Sequence, residues 1–441
     1  MNLCTDKKGF SLIETLVGSA VFVIVALATY NAFVVLMNAA GASRAKVAAT
    51  ELANEQFEII RNLPYVNIGI IAGLPVGKIA RTQNLTRDGY TFTVLTTIRS
   101  VDDSFDGTLG GSPNDTSPAD YKLADLDITC TNCKSFSPLS FTTLLAPHAL
   151  ETASTNGALY IRTIDANSNP VPGASLHIVN IQTNPDTIID ETTDNTGWLR
   201  IVDAIPGTAA YNITATKTGY SQDQTYPVGG AAGASPIKPD SNVVTKAITQ
   251  LSFTIDLLSS ISVSSISSTC AALPNIGFSL TGTKTIGTNV LKYIAHSFTT
   301  NSSGAYSVSN LEWDTYAVLL TSASYDLAGT SLFPNFALSP NENENLSLIV
   351  VPHVNGALLV SVQDSSGAAI DGATVHLQKT GFDQTKTTNS GSCATPGQVF
   401  WNGLASGTYT LSISSAGYQT YTNSALSVST TWQNKSVTLT P

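Results

Sequence analysis

The chain has 441 residues, room for roughly three domains at about 150 residues each, and carries 21 Lys+Arg against 31 Asp+Glu for a net charge of −10. Residues 151–441 hold 10 basic and 18 acidic groups, and so acidic a surface repels phosphate backbones, which disfavours nucleic acid as a partner for the bulk of the chain. Only 12% of residues are charged, but 42% are apolar and there are 15 Tyr, 15 Phe and 4 Trp, a composition that builds packed cores and excludes disorder over most of the length.

In chain order, Lys7 and Lys8 precede Gly9-Phe10-Ser11-Leu12-Ile13-Glu14, and no charged residue follows from Thr15 to Ser43. About 20 apolar residues suffice to cross a bilayer as a helix. The run predicts a transmembrane helix over residues 15–40 with its lysine-bearing end on the cytoplasmic side. A cleaved signal peptide is the alternative, but its apolar region is only about 7–15 residues long. Glu14 is the odd residue: a carboxylate at the edge of an apolar helix either snorkels to the interface or marks function.

Gly9-Phe10-x-x-x-Glu14 behind two lysines resembles the class III signal of type IV prepilins. The resemblance implies a leader of residues 1–9, its charge supplied by Lys7 and Lys8. It implies cleavage between Gly9 and Phe10 by prepilin peptidase, N-methylation of Phe10, and a role for Glu14 in filament assembly. A buried carboxylate needs a cationic partner, and the Phe10 amine of a neighbouring subunit would supply one. The implied partners are other pilins, an inner-membrane assembly platform and, before assembly, the cytoplasmic membrane, crossed once; the implied destination is an extracellular filament or the cell surface.

The helical pattern continues past the membrane. Ala45, Ala49, Leu52, Gln56, Ile59 and Leu63 recur every three or four residues, Phe57 and Ile60 widen the stripe, Glu58 and Arg61 can pair one turn apart, and Pro64 ends the run. A helix from Phe10 to Asn62 would be roughly 80 Å long at about 1.5 Å per residue. Residues 10–65 thus read as one long helix, whose end, Leu52 to Tyr65, looks like that of minor pilins and type II secretion pseudopilins.

Residues 66–150 read as a small β headgroup, with alternating strands at Thr91–Ile98 and Tyr121–Thr129. The polar loop between them contains Asp102, Asp103, Asp106, Asp115 and Asp120. These could supply oxygens to Ca²⁺; the spacing matches no EF-hand, and the same composition serves a solvated turn, so both readings stand.

Cys4 lies in the leader, leaving Cys130, Cys133, Cys270 and Cys393. In an exported chain an even count permits disulfides. For Cys130-Thr131-Asn132-Cys133 a zinc site lacks a second ligand pair, and a redox motif lacks a following helix because Ser137-Pro138 intervenes. A local Cys130–Cys133 disulfide is the reading. Cys270 and Cys393 either pair across two domains or stay buried and reduced.

The remainder repeats. Gly157-Ala158-Leu159, Asp165, Gly173-Ala174 and His177 recur 199 residues later as Gly356-Ala357-Leu358, Asp364, Gly372-Ala373 and His376. Tyr211 and Gly219-Tyr220 find counterparts in Tyr409 and Gly417-Tyr418, while a weaker middle copy keeps Thr300 to Tyr306, Leu311 and Tyr316. Short alternating strands between Gly turns indicate β-sandwiches. The copies resemble carboxypeptidase regulatory-like and CnaB-like modules, which implies stalk or presentation units. The expected divisions are repeat 1 at 151–228, a linker or long loop at 229–248, a divergent repeat 2 at 249–352 and repeat 3 at 353–441. No Lys and Asn hold matched positions for an isopeptide; His177 and His376 read as ordinary strand residues, and Trp198, Trp313 and Trp401 as core.

The expected fold class is an α+β pilin, with a long N-terminal helix and a small antiparallel sheet, followed by all-β prealbumin- or Ig-like sandwiches. No nucleotide loop, metalloprotease motif or nucleophile elbow is present in the sequence, so no enzyme activity is expected. The expected function is that of a minor pilin displaying sandwiches for surface, cell or glycan adhesion. The alternatives are a pseudopilin of a secretion or DNA-uptake machine and a membrane-tethered accessory subunit of an enzyme.

Overall fold

The computed structural model describes residues 11–115, 117–147 and 154–441. One long helix leads into a four-stranded sheet, and three β-sandwiches follow.

Helix α1 (Leu12–Arg61) starts at Ser11, whose hydroxyl accepts the Glu14 N–H. The Glu14 carboxylate accepts the Ser11 N–H in return, a reciprocal cap that satisfies donors the helix start would otherwise orphan. The lower half of α1 lies on the sheet through Ala45, Ala48, Ala49, Leu52, Ala53, Gln56, Phe57 and Ile60. Four alanines let the helix approach closely. Ile59, expected in this stripe, points to solvent instead, one position off the buried face.

The headgroup sheet is an antiparallel meander of β1 (Thr82–Arg87), β2 (Tyr90–Val101), β3 (Tyr121–Cys130) and β4 (Leu139–Leu145). Phe92, Val94, Ile98, Ala124, Leu126 and Ile128 alternate onto its helix-facing side and close the core. Arg87 reaches back to Glu51 and Glu55, and Arg61 to Thr143.

The first sandwich comprises β5 (Gly157–Ile164), β6 (Ser175–Asn180), β7 (Thr187–Thr192), β8 (Trp198–Ala204), β9 (Gly207–Thr216), β10 (Asp223–Gln224), β11 (Ser241–Val243) and β12 (Ile248–Thr254). Its sheets run β12-β5-β8 and β10-β9-β6-β7, with β11 also paired to β9. The segment expected as a linker, 229–248, is therefore part of the sandwich. Strand β12, expected to open the second repeat, closes the first by pairing in parallel with β5. The partners lie about ninety residues apart in the chain, so no local pattern advertises the pairing.

The second sandwich comprises β13 (Ser259–Ile266), β14 (Gly277–Gly282), β15 (Thr285–Gly287), β16 (Val290–Leu291), β17 (His296–Thr299), β18 (Ala305–Leu311), β19 (Asp314–Leu320), β20 (Tyr325–Thr330), β21 (Phe336–Leu338) and β22 (Asn343–Pro352). Its sheets are β18-β13-β22-β20 and β17-β14-β19-β21, with β15 and β16 a separate hairpin. The third comprises β23 (Leu358–Gln363), β24 (Thr374–Lys379), β25 (Phe382–Thr387), β26 (Gln398–Trp401), β27 (Gly407–Ser414), β28 (Tyr421–Val428) and β29 (Gln433–Thr438), in sheets β26-β23-β29 and β25-β24-β27-β28. Again the first and last strands pair in parallel, β13 with β22 and β23 with β29.

The polar skeleton shows the divergent middle copy to be a full member of the series. Thr193, Thr300 and Thr388 each accept a backbone N–H, from Ala174, Ile276 and Ala373, at 3.0, 3.0 and 2.9 Å. Tyr211, Tyr316 and Tyr409 each donate their hydroxyl to a carbonyl just upstream, at Ile205, Glu312 and Ala405. Burial raises the phenol pKa of Tyr211 to about 12 and that of Tyr316 upward as well.

Candidate functional site

Three regions carry the residues singled out in the sequence. The first is the start of α1. Lys7, Lys8, Gly9 and Phe10 lie outside the described residues. Glu14 is exposed in the first turn, its carboxylate held 3.3 Å from the Ser11 N–H and hydroxyl. From there to Met37 the large apolar side chains are mostly exposed. The helix is long and apolar enough to cross a membrane, and its most apolar stretch buries nothing within the chain.

The second region is the loop joining β2 to β3. One carboxylate oxygen each from Asp103, Asp106 and Asp120 lies within 4.8 Å of the others. Asp102 and Asp115 stand close enough to repel Asp120, and burial followed by these like charges lifts the Asp102 pKa to about 6 and moves that of Asp120 upward too. The backbone winds around the carboxylates: Leu109 N–H donates to Asp102, Asp103 N–H to Asp120 and Ser117 N–H to Asp115. On β3, just after the loop, is Lys122, which the sequence pattern does not single out. Its buried ammonium donates to the carbonyls of Tyr65 and Ile68 at 2.9 and 2.6 Å and stands 4.5 Å from the Tyr65 ring. It ties the turn after α1 to the sheet, and desolvation lowers its pKa.

The third region is the set of junctions along the array. Cys130 and Cys133 form a local disulfide at the end of β3, and Cys270 and Cys393 form one between the second and third sandwiches. At that same junction Gln398 on β26 accepts the Thr330 N–H on β20 at 3.0 Å and donates to its carbonyl at 2.8 Å, so a side-chain amide stands in for a strand. The Trp432 indole donates to Leu327 O. The extra edge strand β20, which the other two sandwiches lack in this position, is thus the docking edge for the third. The headgroup meets the first sandwich through Arg81 with Asp190, Arg99 with Glu191, and the Ile188 N–H on Ala72 O. The supposed linker meets the β15–β16 hairpin through the Ile237 N–H on Ile286 O.

Other expectations resolve plainly. His177 and His376 sit on the surface and pair with Asp190 and Asp383 across neighbouring strands. Trp401 is core, but Trp198 and Trp313 are only half buried, covered by Arg162 and Arg200 and by Lys284 respectively. Lysines of the sandwiches cap carbonyls, Lys217 that of Pro172 and Lys386 that of Phe400.

A family model described as the prokaryotic N-terminal methylation motif matches residues 4–30, and one described as the carboxypeptidase regulatory-like domain matches residues 357–440. The chain thus carries a type IV prepilin-type methylation motif at its start and a carboxypeptidase regulatory-like domain at its end. It is also similar to the Bacillus anthracis TIE protein, at 13% identity over 82% of this chain and 73% of that one, with a TM-score of 0.21. It is similar to the Streptococcal ancillary pilin at 12% identity, over 65% and 98% of the two chains, with a TM-score of 0.18. For BcpA, the major pilin subunit of Bacillus cereus, the values are 12%, 65%, 98% and 0.17. At such TM-scores these likenesses carry no argument about function. No curated protein matches. The motif and the long apolar helix together suit association with a membrane.

Proposed function

We propose that the chain is a minor pilin of a type IV pilus-like filament, without enzyme activity, that carries its three sandwiches outward as an adhesive array. Prepilin peptidase cuts between Gly9 and Phe10, Phe10 is N-methylated, and an inner-membrane assembly platform moves the protein from the cytoplasmic membrane into the filament. The observation supporting this most directly is the asymmetry of α1. Its lower half is buried on the headgroup, while the half from Leu12 to Met37 leaves its large side chains to lipid or to other helices. Once the helix has left the bilayer, each such side chain exposed to water would cost about 1.5–3 kcal/mol, which holds the helices of the filament together. Glu14, exposed at the capped start of this half, would pair with the amine of an adjacent subunit.

The test is a strain lacking residues 257–441, which leaves the first sandwich seated on the headgroup. Filaments should persist at the normal level while attachment to cells or glycan surfaces is lost. Undiminished attachment would overturn the adhesive role. Loss of protein secretion without any loss of attachment would instead support a pseudopilin.

A further inference from the structure

The loop between β2 and β3 packs five carboxylates together, and none of them forms an ion pair among the described residues. Acidic clusters on a surface are common and need no ion. This one differs because part of it is inside. Asp115 and Asp120 are 7% and 9% exposed. Each has one oxygen on a backbone N–H, and the other, Oδ2 of Asp115 and Oδ1 of Asp120, is buried with no hydrogen-bond partner. Asp102 Oδ1 is a third such oxygen. Leaving an anionic oxygen buried without a donor or cation costs several kcal/mol, and native folds do not accumulate three in one loop without compensation. The repulsion among the carboxylates adds to that cost.

A hard cation would compensate. The donor set is all oxygen, with no His or Cys, which selects Ca²⁺, Mg²⁺ or Mn²⁺ over zinc and copper. Two oxygens on opposite sides of calcium, at about 2.3–2.6 Å each, stand roughly 5 Å apart, whereas around magnesium they stand about 4 Å apart. Oxygens of Asp103, Asp106 and Asp120 lie within 4.8 Å of one another, close enough for one ion to touch all three, and a loop of five carboxylates suits calcium, which takes about six to eight oxygens, better than magnesium, which binds one or two carboxylates and keeps its waters. Location gives the ion a task. Asp102, Leu109 and Gly110 form one wall of a 620 Å³ cleft whose other wall is Tyr160, Trp198 and Arg200 of the first sandwich.

We propose that this loop binds one calcium ion through Asp103, Asp106 and Asp120, with the buried carboxylates of Asp102 and Asp115 completing its anionic surround, and that the ion braces the joint between headgroup and first sandwich. This stands on the loop alone and does not depend on how the filament is used.

The experiment takes the full chain in detergent micelles, stripped with chelator and returned to chelator-free buffer at neutral pH. Calcium chloride should bind at one site per chain by calorimetry and raise the unfolding midpoint. Asp106→Asn, an exposed position that leaves the fold alone, should weaken binding about tenfold or more. Asp127→Asn, an acid on the open sheet face, should not. Hydrogen exchange should slow on calcium addition both in 102–120 and in the cleft strands β5 and β8. The proposal is overturned if neither heat nor midpoint shift appears up to about 10 mM calcium, beyond the range of weak extracellular calcium modules. It is equally overturned if magnesium binds as tightly or if Asp127→Asn weakens binding as much as Asp106→Asn. Protection confined to 102–120 would overturn the bracing.

Discussion

The outer half of α1 and strand β23 are both strongly apolar, and the fold treats them oppositely. Leu12, Phe22 and Leu36 are 83%, 72% and 68% exposed, while Leu358, Val360 and Val362 are 1%, 0% and 0% exposed. The sandwich completes its own core because its last strand returns to its first. The helix has no such return: its apolar surface is finished only by lipid or by other chains. One region is therefore self-sufficient, and the other is specified for company.

The contrast can be broken at each end. The largest effect is expected for Glu14→Ala, which should abolish filament incorporation while changing sandwich stability by less than about 0.5 kcal/mol, since Glu14 touches no β core. Pull-down of filaments together with denaturant unfolding would check both halves. Trp401→Ala should do the reverse, costing the third sandwich about 3–5 kcal/mol and leaving assembly intact, because the side chain fills its core. Next, Cys270→Ser with Cys393→Ser opens a link across 123 residues and should cost about 2–4 kcal/mol. Calorimetry should then resolve the second and third sandwiches as separate transitions.

The smallest effect concerns pH. The hydrogen bond from His353 to buried Asp326 raises the histidine pKa. Stability from this pair is fully present below the unfolded histidine pKa of about 6.5 and is lost as pH rises through the elevated folded value. The unfolding midpoint of the second sandwich should fall slightly between pH 6 and pH 9, and His353→Gln should remove that slope.

Much of this contrast was legible in the residues. The charge-free run to Ser43, the stop at Pro64 and the alternation in Thr91–Ile98 and Tyr121–Thr129 all mark elements found in place. What escaped was non-local. Strand β12 looks like the start of the next repeat because its partner β5 lies far upstream. Trp198 and Trp313 read as core because aromatic residues carry no sign that an arginine or lysine will cover them. Lys122 looks like one more surface charge on an alternating strand, until the carbonyls of Tyr65 and Ile68 arrive from another segment. The acidic loop was visible as composition, but its buried unpartnered oxygens depend on how the backbone wraps.

The parallel pairing of first and last strands also sets how the array meets tension. In each sandwich the chain enters at one end of the pair and leaves at the opposite end, so a pull along the stalk shears the two strands past each other. Seven register pairs in each of the first two sandwiches, and six in the third, would bear that load together instead of peeling apart one by one. A tether gripping a surface in flow gains from such geometry, and stretching single molecules from the two ends should give higher rupture forces than stretching the same sandwiches across their strands.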